Sequence, residues 1–298
     1  MARCLITGHK GYIGSHLYRA LWAQGHEVMG IDLKEGSGRD IMSFNGLREN
    51  ENWNVHEKGF HPHYENFKPE YVFHLACFPR VQYSVENPVE TMKNNVLSTS
   101  IALNFARKVG AKRFIYSSSS SVIGNGDGPE SPYALQKLTS EIETKLYSKL
   151  YDIDTVSLRY FNVYSPDQKA DGPYATAVSA WMDAIRTGKR PFITGTGEQR
   201  RDMLHVEDAV SANIFAMNHE NNFNGQSFDT GTGENISLNE IKDIINRHHP
   251  DVEFDYVDPR PGDVLETRAN PAALKDLGWR TEIGIYQGVE ECFKRLLK

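Results

Sequence analysis

Three glycines set directly behind a short apolar run constrain this chain more than any other stretch. Residues 3–7 (RCLIT) have the composition of a buried strand, and Gly8, Gly11 and Gly14 follow at once in GHKGYIG. Ile13, Leu17 and Leu21 then recur every four residues, which is one apolar helical face. Strand, glycine turn and helix is the context in which a dinucleotide pyrophosphate can sit. The glycines permit the tight turn, the close approach of phosphate to backbone, and the packing of helix on strand. The spacing is G-x-x-G-x-x-G rather than G-x-G-x-x-G. A second strand, residues 27–31, ends at Asp32, 18 residues beyond Gly14. A carboxylate there can accept hydrogen bonds from the adenosine ribose hydroxyls and repels a 2′-phosphate, which favours NAD over NADP.

The glycine phrase opens an alternation of strands and helices. Residues 36–54 are polar and irregular, so a third strand is expected to be abbreviated. Residues 71–76 (YVFHLA), 113–118 (RFIYSS) and 155–161 (TVSLRYF) read as further buried strands. In a doubly wound sheet the ligand lies outside the carboxyl ends of the strands. Leu75, Ala76 and Cys77 are therefore placed to line a cofactor. Cys77 could equally fill the core, and no basic residue stands beside it in sequence to make it a nucleophile. Val96, Leu97, Ile101, Phe105 and Val109 form one broad helical stripe, and Leu138, Ile142, Leu146 and Leu150 form another. Such stripes either pack on the sheet or offer a dimer interface of four-helix type.

Alternation through about residue 163 predicts an α/β fold with a parallel sheet covered on both faces. The second half has more turn clusters and fewer apolar strands, apart from the strand-like 203–206 and a helix at 208–218. We expect a cofactor domain over 1–163, with a returning segment near 204–232, and a smaller α/β substrate domain over 164–298.

Composition sets the limits on partners. Hydrophobic content of 39% and charged content of 24% over 298 residues describe an ordinary globular chain. No run approaches the roughly 20 apolar residues of a membrane span. A net charge of −6 argues against general nucleic-acid binding. Three widely spaced cysteines without a CxxC, and an N-terminus free of an apolar leader, lead us to expect reduced thiols and a cytoplasmic setting. His61, His63, His248 and His249 lack acidic residues at ligand spacing, so exposed loop histidines are expected and no metal.

Catalytic chemistry is suggested by residues 117–137, SSSSSVIGNGDGPESPYALQK. Tyr133 and Lys137, four apart, share one helical face. An ammonium near a phenol favours the phenolate, and a tyrosine so tuned can exchange a proton with a sugar hydroxyl or carbonyl. Arg200, Arg201 and Arg260 lie within turn chemistry. They suit a diphosphate, and they suit surface ion pairs equally.

Taken in order, GHKGYIG, Asp32, HLAC, Asn94-Asn95-Val96, SSSSSVIG, YALQK, RYFNVYSP, GTGEQRRDMLHVED and RPGD resemble the extended short-chain dehydrogenase/reductases of the nucleotide-sugar epimerase/dehydratase family. Within it the chain is most similar to the UDP-glucose/UDP-N-acetylglucosamine 4-epimerases, and the likeness runs nearly end to end. The resemblance implies a Rossmann-type doubly wound sheet and NAD as cofactor. It places Gly8, Gly11, Tyr12, Ile13, Gly14, Asp32, Asp40, Ile41, Leu75, Ala76, Cys77, Asn94, Ser117, Tyr133, Lys137 and Tyr160 against NAD. It makes Ser119, Tyr133 and Lys137 the catalytic group, with Ser119 chosen because the family sets its catalytic Ser/Thr three residues before the Val, here Val122. Ser119, Asn162, Arg201, Arg260, Asp263 and Thr267 would hold a nucleotide sugar, and a homodimer is implied.

Two details favour epimerisation of a broad substrate. Related dehydratases and decarboxylases usually carry acids after the catalytic Ser/Thr, whereas Ser120 and Ser121 stand here. Epimerases restricted to glucose and galactose usually carry a bulky residue four positions after the Asp of R-x-G-D, and here it is Thr267, which leaves room for an acetamido group at C2. The chain also departs from the family: only 13 residues separate Ser119 from Tyr133, Pro79 replaces a common cofactor-binding Lys, and Ile123 replaces a common Tyr. The expected reaction is inversion at C4 of a UDP-hexose through a 4-keto sugar. Alternatives are an NAD(P)H-dependent 4-keto-sugar reductase or another sugar-nucleotide modifier on the same fold and, in another class, a non-catalytic dinucleotide sensor.

Overall fold

The computed structural model describes residues 1–32, 62–79, 81–124, 126, 128–169, 176–259 and 265–297. In chain order the elements are β1 (Arg3–Thr7), α1 (Tyr12–Ala23), β2 (Glu27–Ile31), α2 (Pro62–Phe67), β3 (Tyr71–His74), α3 (Val81–Glu86) and α4 (Pro88–Met92). A π-helical turn (Lys93–Leu97) leads into α5 (Ser98–Lys108), then β4 (Arg113–Ser119), α6 (Pro132–Leu150) and β5 (Asp154–Tyr160). There follow α7 (Ala177–Arg186), β6 (Phe192–Thr194), β7 (Arg200–Arg201), α8 (Val206–Asn218), β8 (Gln226–Thr230) and β9 (Ile236–Ser237). The last elements are α9 (Leu238–His248), β10 (Asp255–Val257), β11 (Glu266–Thr267), α10 (Ala272–Asp276) and α11 (Ile285–Lys294).

The central sheet has the order β2-β1-β3-β4-β5-β8, and β1 runs parallel to both β2 and β3, as does β3 to β4. This is the doubly wound α/β sheet that the strand–helix alternation predicts. From β1 the chain moves outward to β2 and then returns to the other side of β1 at β3. That reversal makes the carboxyl ends of β1 and β3 the topological switch point, where such sheets bind ligands. Strand β3 stops at His74, two residues short of the expected end. The expected irregular third strand, together with His61, Asp40, Ile41, Arg260 and Asp263, lies outside the described residues.

The chain divides into two compact units, residues 1–159 with 210–228, and residues 160–209 with 229–298. In the first, Leu5, Val72, Ala102, Leu103, Phe105, Phe114 and Tyr116 form the core between sheet and helices. A buried guanidinium ties its last segment in: Arg113 bonds Asp154 at 2.5 Å and donates to the carbonyls of His219 and Asn221. In the second, Trp181, Met182, Ile193, Ile241, Ile245, Val289 and Phe293 form a separate core. The strand expected at 203–206 is only a single bridge, Tyr164 to His205, and α8 begins at once at Val206. His248 and His249 are half-buried rather than exposed loop residues. His248 Nε2 pairs with Glu290 at 3.0 Å, and His249 Nε2 meets the Phe293 carbonyl at 3.0 Å.

Helix α6 resolves the open question of its leucine stripe. Ile142, Leu146 and Leu150 of that stripe are exposed and Leu138 is half-buried, while the buried face carries Tyr133, Gln136, Lys137, Ser140, Glu141 and Thr144. The polar side points inward because every buried group there finds a partner. Thr144 donates to the Ser140 carbonyl, and Glu141 takes both Ser118 and Arg159. On α5 the buried side is Ala102, Leu103, Phe105 and Ala106.

Candidate active site

The glycine turn sits where the sheet reverses. Gly8 has φ +76°, and a Cβ there would lie 2.7 Å from the Ala76 nitrogen, so only glycine lets the ends of β1 and β3 meet. A Cβ on Gly14 would fall 2.1 Å from the Gly8 carbonyl oxygen, and its absence lets α1 start tight against the turn. Gly11 is the N-cap of α1, with no capping side chain and no acid in the first turn. The first turn of α1 therefore adds no negative charge of its own at the helix's positive end, which suits an anion. Asp32, at the exit of β2, accepts from the Lys10 backbone N–H at 2.8 Å, which joins this carboxylate to the glycine turn. Tyr12 and Ile13 form the half-buried first turn of α1, and Leu75, Ala76 and Cys77 follow β3 and are also half-buried. Ala76 N–H donates to Thr7 Oγ1 at 3.3 Å. These residues suit a dinucleotide.

The candidate proton-transfer residues stand on the start of α6 and the end of β4. Ser131 caps α6 by accepting from Ala134 N–H, and Pro132 takes the first helical position, which needs no N–H of its own. The Tyr133 N–H donates to Ser84 Oγ at 3.0 Å, pinning the first turn to α3. Lys137, 3% exposed, donates from Nζ to the Ser117 carbonyl at 2.6 Å and lies 4.9 Å from the Tyr116 ring centre and 5.9 Å from that of Tyr133. Ser119 ends β4, and its hydroxyl meets the Tyr133 phenol. Its Oγ also accepts from the N–H of Ser121 at 3.2 Å and from the Ser121 hydroxyl at 2.9 Å. With those two bonds arriving at oxygen, the Ser119 proton is directed outward as a donor.

The electrostatics correct one expectation. Burial pushes the Tyr133 phenol well above its ordinary value, and the Lys137 ammonium pulls it down by less. Lysine alone does not bring this tyrosine to neutrality. Burial works against the Lys137 ammonium, but Cys77, Tyr116 and Tyr133 around it outweigh that and hold its pKa above the ordinary lysine value. Cys77, without a basic neighbour in sequence, therefore lies beside one in space. Asn94 donates back along its own helix to the Glu90 carbonyl at 3.0 Å.

Among the second unit's candidates, Asn162 takes a left-handed backbone, φ 34°, and its Nδ2 donates to the Asp202 carbonyl at 2.7 Å and toward Thr267 Oγ1 at 3.4 Å. The structure thus brings Asn162 and Thr267 together. Asp202, fully buried, supports them: it accepts from Thr232 N–H and hydroxyl and from the N–H groups of Gly233 and Ala269. Arg201 is half-buried and donates to the Arg200 carbonyl at 2.9 Å. Arg200 is spent internally on Asn235 and Glu240. Tyr160 is 7% exposed at the end of β5.

Several residues of the site escape a motif reading. Glu141 accepts from Ser118 Oγ at 2.5 Å and takes the Arg159 guanidinium in a two-point bond, fixing the strand end that bears Ser119. Its position four residues past Lys137 was the available signal. His74, a polar residue in an apolar strand, bridges Thr7 and Thr99. Ser121, Asn95 and Gln136 carry no comparable mark. Among the described residues no group of three His, Cys, Asp or Glu could hold a metal, and no helix is long and apolar enough to cross a membrane.

Comparison with known proteins agrees with this geometry. Residues 4–231 match the NAD dependent epimerase/dehydratase family. The UDP-glucose 4-epimerase of Mycolicibacterium smegmatis is 32% identical over 304 residues, covering 96% of each chain. The UDP-glucose 4-epimerase of Thermotoga maritima, solved with UDP-glucose, superposes with a TM-score of 0.88 at 29% identity over 99% of this chain and 100% of that one. The UDP-glucose 4-epimerase of Thermus thermophilus, solved with NAD, gives 0.87 at 27% identity, with 99% of both chains covered.

Proposed function

The chain belongs to the NAD dependent epimerase/dehydratase family, and we propose that within it the reaction is inversion at C4 of a UDP-hexose. The pairs are UDP-glucose with UDP-galactose and their N-acetylated counterparts, interconverted through a transient 4-keto sugar. The observation that carries this reading is the group formed by half-buried Ser119 with buried Tyr133 and Lys137, followed by serines rather than acids. Ser120 and Ser121, directly after Ser119, offer no carboxylate to expel water from the sugar.

The cofactor is NAD. Gly8, Gly11, Tyr12, Ile13 and Gly14 would hold its pyrophosphate, Asp32 its adenosine ribose, and Leu75, Ala76, Cys77, Asn94, Ser117 and Tyr160 the remainder. When bound it supplies a hydride acceptor and donor and, oxidised, a positive charge. Tyr133 Oη takes the C4 hydroxyl proton and later returns it. Lys137 favours the phenolate through its charge, the direction in which it already pulls Tyr133. Ser119, oriented as a donor by Ser121, bonds O4 and the carbonyl that develops from it. Asn162, Arg201 and Thr267 are assigned to the nucleotide sugar, with Thr267 leaving space at C2. Holding the diphosphate while the keto sugar turns its other face is the task of Arg201.

The test is to incubate the purified protein, without added cofactor, with UDP-N-acetylglucosamine and separately with UDP-glucose, and to follow C4 stereochemistry by proton NMR. Formation of the galacto epimers, abolished in Tyr133→Phe while NAD is kept, is expected. A fully active Tyr133→Phe variant, or no epimer from either sugar, refutes the reading.

A further inference from the structure

Asn95 and Gln136 form a bridge that the chemistry above does not use. Each is 1% exposed. Asn95 stands in the π-helical turn, where the wider i→i+5 pattern releases a carbonyl from the helical ladder. Its carbonyl accepts from the hydroxyls of Thr99 at 2.7 Å and Ser140 at 3.4 Å. Its side-chain amide pairs with the backbone of Phe78 as a neighbouring strand would. Oδ1 accepts from Phe78 N–H at 2.7 Å, and Nδ2 donates to the Phe78 carbonyl at 3.3 Å.

The second Nδ2 proton goes to Gln136 Oε1 at 2.7 Å. Gln136 Nε2 passes the chain on to Thr91 Oγ1 at 2.9 Å and, more loosely, to the Pro88 carbonyl at 3.5 Å. All four amide protons of the two side chains are committed. Burial alone would be served as well by an apolar residue, because a buried amide costs stability unless it is fully bonded. What a saturated network adds is one defined geometry.

The two ends of the bridge are the two sides of the site. Gln136 precedes Lys137 and lies three residues, one turn, after Tyr133. Phe78 directly follows Leu75, Ala76 and Cys77. We propose that Asn95 and Gln136 are positioning residues, which set the spacing between the Tyr133–Lys137 pair and the cofactor edge at the end of β3. The proposal rests on the epimerase reading only for its turnover assay.

Gln136→Leu keeps most of the volume and removes the bridge. Gln136→Glu keeps an acceptor for Asn95 Nδ2 and, protonated in its buried place, a donor for Thr91. A misplacement of about 1 Å can cost about 10²-fold in rate, so Gln136→Leu is expected to lower kcat about 10–100-fold with KM for the sugar little changed. It is also expected to lose bound NAD on gel filtration, read from the 260/280 nm absorbance ratio, and to displace the acid limb of the kcat–pH profile. Gln136→Glu should recover most of both losses. Wild-type NAD retention and pH profile in Gln136→Leu would overturn the proposal, as would equal impairment of both variants in step with a lowered Tm. Were the wild-type chain to epimerise no UDP-sugar, the epimerase reading would fail alone, and NAD retention would still decide the bridge.

Discussion

Lowering the pH from 7 to 5 should destabilise this protein through His74. The imidazole is 1% exposed, stacked near Phe114 and Tyr116, with Lys137 the charged group that acts on it. Its tautomer follows from its partners. Thr99 gives its proton to the Asn95 carbonyl, so Nε2 of His74 carries the hydrogen and donates to Thr99 Oγ1 at 3.0 Å. Nδ1 then accepts from Thr7 Oγ1 at 2.7 Å. A proton added at Nδ1 would turn that bond around, one residue before Gly8. Burial, reinforced by the Lys137 charge, pushes the pKa down to about 3. In the unfolded chain it is about 6.5, so between those values the unfolded state binds more protons and stability falls as pH falls. The His74 contribution is complete above pH 6.5, and a drop from pH 7 to pH 5 removes about 2 kcal/mol of it. His74→Gln, which cannot titrate, should be less stable at pH 7 by about 1–3 kcal/mol for the hydroxyl left unpaired. It should then lose about 2 kcal/mol less than wild type on acidification. Urea unfolding of both proteins at the two pH values measures the difference, and the His74 ring signals in NMR should not titrate above pH 4. Identical pH slopes in the two proteins would refute the reasoning.

Two further outcomes test the site and the surface. Ser121→Ala removes a 2.9 Å donor from Ser119 Oγ, and a neutral bond of about 1 kcal/mol corresponds to a fall of about 5-fold in kcat at unchanged KM by steady-state kinetics. We also propose that the exposed row on α6 closes against a second copy of this chain. Ile142→Glu, at a position 61% exposed, should weaken that association at least about 10-fold, since each buried Ile or Leu is worth about 1.5–3 kcal/mol. Sedimentation velocity reads it, and a wild-type monomer would remove the proposal.

The glycine turn of the candidate site was legible because its signals are backbone signals. Gly8 and Gly14 stand where a Cβ would strike Ala76 and the Gly8 carbonyl, so steric exclusion writes itself into the sequence as glycine. Asp32 follows because β2 must end beside the same turn. Tyr133 and Lys137 were visible by helical spacing. What spacing could not supply was the balance of forces on them: burial is a property of neighbours brought in from β3, β4 and α3, and it raises the phenol more than Lys137 lowers it.

The same limit explains α6. Periodicity measures how wide an apolar face is, and says nothing of which way it points. Ile142, Leu146 and Leu150 belong to a stripe that could pack on the sheet or face a second chain, and the helix turns them out. The inward face is held by bonds that each need a distant partner: Lys137 needs the Ser117 carbonyl, Glu141 needs Ser118 and Arg159, and Gln136 needs Asn95. Each is separated from its helix residue by 18 to 41 positions, so no local window contains both ends. A polar helix face can be buried only if all such partners arrive together, which ties the orientation of Tyr133 to the completion of β4, β5 and the π-helical turn. The apolar face left outside is then the consequence of burying the polar face that bears Tyr133 and Lys137, and a second copy of the chain is what we propose covers it.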